Sequence, residues 1–327
     1  MVIIILIILF VGIIACVLLT SLYRKSIAYK NANVAILKYQ NDIPESLQLT
    51  NFGSTYSMYA FNSYNELRLN AFNFAIDAQS LEIDERLLSK YASHIAPGAT
   101  VIFGLAACVT YYRYSMVSNK TRYYEFLDKN NIPNYSLSCA IRHHFPLSLG
   151  RMKAMVGAIV RHHEVKDIYA GYPSVLSREV MELNMQGMAK GWIRMFHLSD
   201  LKKRNTNMDN EQNKDFNTSL LRSMFEFCLS KGWKPVVVIT PFSDILNKYF
   251  GDEFIAASLG DMISKATDGL KVDVLDYRLH PAFQQDYSSY LDGGFRLNKK
   301  GSIKFVKQVL NDLNIKGYSL TNSTIGC

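Results

Sequence analysis

From Val2 to Leu19 the chain runs eighteen residues without a charge, apolar throughout except for Gly12. At 1.5 Å rise per residue a helix of that length covers about 27 Å, close to a hydrocarbon core of about 30 Å. A buried helix of a soluble protein carries polar residues on some face. A cleaved signal peptide carries a basic segment ahead of a shorter apolar one. Neither pattern fits, so residues 1–23 are expected to span a membrane once and make the lipid bilayer a partner of the chain. Ile13-Ile14-Ala15-Cys16 has the outline of a lipobox. The apolar run continues beyond it, however, and no lysine or arginine precedes it. Arg24, Lys25 and Lys30 come after the apolar run, and the positive-inside rule reads them as cytoplasmic.

The chain beyond the anchor is long enough for one large domain, or for a domain with an insertion. The five cysteines are odd in number and widely spaced. That argues against a disulfide framework or a zinc site, and neither metal nor cofactor is expected. The net charge of +8 includes small clusters at 202–204 and 299–300. It reads first as solvated surface and second as attraction to anionic lipid or polysaccharide; nucleic acid is not expected, because no nucleic-acid-binding motif accompanies it.

Strand-like and helix-like segments alternate at both ends of the body. Strands are expected over 47–51, 72–76, 100–105, 235–241 and 272–276, with a turn at Pro97-Gly98. The run Pro235-Val236-Val237-Val238-Ile239 has the β-branched continuity of a strand covered on both faces. Helical periodicity marks 80–93, 216–230, 244–267 and 301–313. Such alternation predicts βαβ units: an α/β fold, a three-layer α/β/α sandwich on a central, mostly parallel sheet of about five strands. Residues 24–44 read as a juxtamembrane linker, 45–317 as the α/β domain and 318–327 as a tail. The stretch 107–213 lacks strand signals and reads as a mainly helical insertion. Within it and just beyond, Asn205 to Asn217 is polar enough to read as an exposed loop.

Two stretches carry chemistry. Asn51-Phe52-Gly53-Ser54-Thr55 stands where a strand gives way to a helix. Glycine there permits a tight turn, and backbone N–H groups at the turn can hold an oxyanion beside a serine nucleophile. Taken alone, a Gly-Ser pair after a strand is more often a turn or a helix cap. The second stretch is Asp292-Gly293-Gly294-Phe295-Arg296-Leu297-Asn298-Lys299-Lys300-Gly301. In order and content the two resemble the first and last blocks of the SGNH/GDSL hydrolase superfamily, and in particular its membrane-anchored branch of DltD-like and polysaccharide acyl-modification proteins.

The resemblance implies a flavodoxin-like sandwich with Ser54 as nucleophile, Gly53 and Thr55 at the oxyanion and Asp292 as the orienting acid. Asn298 then belongs to the substrate-facing last block. It implies work on a cell-envelope glycan, with an acyl-donor protein as partner, and an extracytoplasmic body. The chain departs from the family in four places. Asp292 lies four residues before position 296 and not three. Ala75 or Ala78 stands where the second block has glycine, and Ala106-Ala107-Cys108 lacks the third block's asparagine. Arg296 occupies the place of the catalytic histidine in His-Leu-Asn-x-x-Gly.

The last departure decides the chemistry. A serine hydroxyl needs a base that titrates near working pH, and arginine stays protonated. Arg296 can pair with Asp292 or hold an anionic substrate. His280, after the strand at 272–276, is the substitute base, though a surface loop is its commoner fate. The pairs His143-His144 and His162-His163 read as structural or surface, since adjacent helical residues diverge by about 100°. Two functions are therefore expected: a Ser54 esterase or O-acyltransferase, or a catalytically inactive binding or assembly protein of the same fold.

Overall fold

The structure is a computed structural model that describes residues 2–145, 152–170, 176–204 and 206–315; the expected tail at 318–327 lies outside them. In chain order the elements are α1 (Val2–Lys25), α2 (Ile27–Leu37), β1 (Leu47–Phe52), α3 (Thr55–Ala60), β2 (Ala71–Asn73), α4 (Leu81–Lys90) and β3 (Ile95–Leu105). Next are α5 (Leu137–His144), α6 (Met152–Val160), α7 (Arg178–Met195), α8 (Met208–Ser230) and β4 (Lys234–Ile239). Beyond β4 come α9 (Asp244–Asn247), α10 (Asp252–Ile255), α11 (Asp261–Thr267), β5 (Asp273–Asp276), α12 (Pro281–Gln284) and α13 (Lys299–Ile315). They form two compact units, one of residues 1–42 with 118–168, the other of 43–117 with 169–327.

The larger unit is the α/β domain. Its five strands are all parallel, in the order β2-β1-β3-β4-β5, which is the doubly wound flavodoxin-like arrangement. Alternation along the strands divides the core between two faces. Leu49, Ile102, Val236 and Val238 meet Phe305, Val306, Val309 and Leu313 of α13 on one side. On the other, Phe52 stacks on Phe103, and Phe103 meets Phe225 of α8 edge-on at 5.2 Å. The expected three-layer sandwich is therefore present, with β1 and β3 on either side of the point where strand order reverses.

Several expectations change in detail. Pro97-Gly98 is a bulge within β3: pairing with β1 shifts from Leu47↔Ile95 to Leu49↔Thr100, and Gly98 takes a positive φ of 75°. The helix expected over 244–267 is broken into α9, α10 and α11, with a π-helical turn at Ala256–Gly260. Of the polar stretch expected as a loop, residues 208–217 are helix, the start of α8. Asn207 caps α8, and the buried Asn217 amide donates to the carbonyls of Val109, Thr110 and Tyr112. Asn207, Asn210 and Asn217 donate to backbone carbonyls, so part of the polarity there marks inward hydrogen bonding, not a loop.

The smaller unit holds α1, α2, α5 and α6. Residues 2–18 of α1 are solvent-exposed along their length, and α1 is long and apolar enough to cross a membrane. In the stretch 24–44, read as a juxtamembrane linker, α2 fills most of the length behind an N-cap from Ser26. The expected insertion is likewise divided. Residues 118–168 belong with α1 and α2, whereas 107–117 and 169–213 belong to the α/β domain.

Candidate functional site

β1 ends at Phe52, and the next residue has to be glycine. Gly53 has φ 132°, and a Cβ placed on it would lie 2.5 Å from the Gly104 carbonyl oxygen and 2.8 Å from Ser57 Cβ. Backbone and side chain close on the position from both sides. Its N–H donates to Asp84 Oδ1 at 3.0 Å. Ser54 then opens α3 in an extended conformation without capping it. Its Oγ instead accepts the Gln79 backbone N–H at 3.0 Å, and the residue is 8% exposed.

The segment after β2 supplies the other side of this turn. Ala78 has φ 47°, a left-handed conformation costing an L-residue about 1 kcal/mol and natural to glycine. This is one of the two positions where the family resemblance leads one to expect glycine. Its N–H donates to Thr55 Oγ1 at 3.0 Å. The Gln79 side chain donates to Asp84 Oδ1 at 2.5 Å, so one carboxylate oxygen holds both the Gly53 turn and Gln79. Burial pushes the Asp84 carboxyl up to about 7, against the pull of the Gln79 and Gly53 hydrogen bonds.

Ser54, Thr55 and Gln79 form the floor of a cavity of about 140 Å³ at the carboxyl edge of the sheet. Open doubly wound sheets bind ligands at that edge, next to the strand-order reversal. The walls are Val109 and Tyr112 from the loop after β3, Trp192, Met195 and Phe196 from the end of α7 and just beyond, and Phe295 from the last block. Among the described residues no histidine, carboxylate, lysine or arginine lines it.

The last block does not deliver a base. Asp292 is 5% exposed; its Oδ1 accepts the N–H groups of Gly294, Phe295 and Arg296, and its Oδ2 accepts Arg296 Nε at 2.9 Å. That carboxylate is occupied in shaping its own loop. Burial works against the Arg296 guanidinium, but Asp292 and Tyr59 more than offset it and hold its pKa above the ordinary value. The guanidinium lies over the Tyr59 ring, 5.5 Å from its centre. Asn298 caps α13: its Oδ1 accepts the Gly301 N–H, and its amide donates to Ser288 O. His280 is a helix cap too, with Nδ1 accepting the Ala282 N–H and its ring against Tyr277 and Phe283.

Of the residues singled out in the sequence, Gly53, Ser54 and Thr55 thus share one turn at the cavity. Asp292 and Arg296 pair with each other, while His280 and Asn298 are engaged as caps. Gln79, Asp84 and the α7 aromatics are missed by motif reading. A signal exists for Asp84, which falls on the apolar face of α4 with Leu81 and Leu88.

No family model matches this chain, and no curated protein matches it. Among solved structures, a Bacteroides fragilis protein assigned as an acylhydrolase is similar at 10% identity and a TM-score of 0.40, over 89% of this chain and 99% of that one.

Proposed function

We propose that this chain is a single-pass membrane protein of SGNH-like type that binds a short acyl group of a cell-envelope glycan without hydrolysing it. One observation carries the reading: the hydroxyl in the nucleophile position faces an aromatic-walled cavity whose described lining holds no base that titrates near neutral pH. Proton transfer from a serine requires such a base within hydrogen-bond reach. The role left to Ser54 is recognition, by a hydroxyl and an amide edge on the floor and apolar contact on the walls. An apolar cavity of about 150 Å³ is known to hold benzene, so the present one suits an acyl group of up to about six heavy atoms.

Trp192 gives a direct readout. Titration with a butanoylated methyl glucoside is expected to quench tryptophan fluorescence, and Trp192→Phe to abolish the change, while the unacylated sugar leaves it flat. An equal response to both sugars would remove the acyl group from the proposal.

A second reading, a Ser54 esterase or O-acyltransferase, is favoured by the side chain standing free of its helix cap. Under it, a fluorophosphonate probe labels Ser54. On the binding reading the wild type stays unlabelled at high probe concentration.

A further inference from the structure

The charge of this chain is not shared evenly. Residues 1–42 and 118–168 hold twelve lysines and arginines against five acids, +7 of the total +8. The unit containing the apolar helix α1 is thus the basic one, and the α/β domain is close to neutral.

Within that unit a cavity of about 340 Å³ opens beside the last turns of α1. It is lined by Val17, Thr20, Arg24, Lys25, His144 and Phe145, among others. Two of these residues carry polar atoms with nothing to bond. Thr20 is 6% exposed and its Oγ1 has no hydrogen-bond partner, nor does the buried Nε of Arg24. Thr20 and Arg24 both line the cavity, and an unmet hydroxyl and an unmet guanidinium N–H cost free energy unless a ligand meets them. Arg24 is held in place from behind: its Nη2 donates to Glu125 Oε2 and to the His143 carbonyl, and Glu125 is also bonded by His143 and Gln40. Glu125 itself does not line the cavity.

Apolar surface continues from this opening. Leu137, Ile141 and Phe145 recur at four-residue spacing along α5 and its cap, and all three are exposed. Met152, Val156 and Val160 do the same on α6, a helix packed on α1. Such stripes beside basic residues suit a helix lying at the lipid headgroup level. Anionic leaflets attract juxtamembrane basic segments by about 1 kcal/mol per charge.

We propose that the cavity beside α1 binds the phosphate of an anionic phospholipid, with Arg24, Lys25 and Thr20 on the headgroup and Phe145 beside the glycerol end. This rests on α1 being a membrane anchor and is independent of what the Ser54 cavity binds.

The test uses the full chain in nanodiscs of equal phosphatidylcholine and phosphatidylglycerol, released for native mass spectrometry. The wild type is expected to retain phosphatidylglycerol about ten-fold over phosphatidylcholine. Lys25→Gln and the near-isosteric Thr20→Val are each expected to bring the ratio close to one with an unchanged circular-dichroism spectrum. Equal retention by the wild type, or full enrichment in both variants, overturns the site. Displacement of the lipid by excess inorganic phosphate would assign the cavity to a free anion and overturn the lipid assignment. Failure to enter even neutral nanodiscs would sink the anchor reading and this proposal with it, whereas entry without lipid preference sinks this proposal alone.

Discussion

Arg296 Nε donates to Asp292 Oδ2 at 2.9 Å, and the other oxygen of that carboxylate takes three backbone N–H groups of the same loop. Arg296→His removes the donor on Oδ2 and leaves that oxygen to the imidazole. Position 296 does not line the cavity at Ser54, however, so the new base is oriented by Asp292 away from the serine. Arg296→His is expected to raise p-nitrophenyl butyrate hydrolysis less than about ten-fold over the wild-type background, well short of the roughly 10²–10⁴-fold typical of a positioned general base. A larger gain in a steady-state assay would mean that an imidazole at position 296 reaches the Ser54 hydroxyl.

Removing that carboxylate is a stability experiment. Asp292→Ala leaves three loop N–H groups without their acceptor, and each unsatisfied buried group costs about 1–3 kcal/mol. Part of the cost is recovered by water, so a loss of about 3 kcal/mol is expected from denaturant unfolding. A loss below about 1 kcal/mol would show that the loop holds its shape without Asp292.

Asp84 gives a pH signature. Its folded pKa of about 7 lies above the ordinary carboxyl value, 3.8. The folded state therefore binds more protons than the unfolded state between those two values, and stability falls as pH rises across that window. The contribution is full below about pH 4 and gone above about pH 7. Asp84→Asn keeps an oxygen for the Gly53 N–H but never ionises. It is expected to melt several degrees above wild type at about pH 8 and to converge with it at about pH 4. Parallel melting curves at both values would place the titration elsewhere.

Gly53→Ala is expected to destabilise the domain by more than about 3 kcal/mol. It combines a positive φ with a Cβ 2.5 Å from the Gly104 carbonyl, and neither backbone can yield easily. Gly98→Ala makes the control, since its positive φ is accompanied by no atom within 4 Å. Thermal melts of the two variants should separate conformational strain from collision.

The sheet is legible in the sequence because its signals are local. Pro235 to Ile239 reads as a covered strand from five residues, and the parallel fold is implied by alternation along the chain. The Ser54 turn is legible for the same reason. Asn217 is not: its three carbonyl partners come from a loop about a hundred positions earlier, and nothing near it in sequence announces them. The same applies to Trp192 and Phe196, whose place at the cavity depends on where a helix lands. Arg296 can be read as a missing base, but the engagement of Asp292 with three backbone amides cannot.

The cavity's floor comes from segments 54–55 and 78–79, and a large part of its walls from 192–196, more than a hundred residues farther along. Position of the hydroxyl and size of the chamber are therefore set by different stretches of chain, under different packing constraints. Substitutions at Trp192, Met195 or Phe196 can resize the chamber while Gly53 and Gly104, pressed backbone to backbone, keep the serine in place. The range of groups this protein accepts can drift in evolution, or be redesigned, without disturbing the point against which they are held.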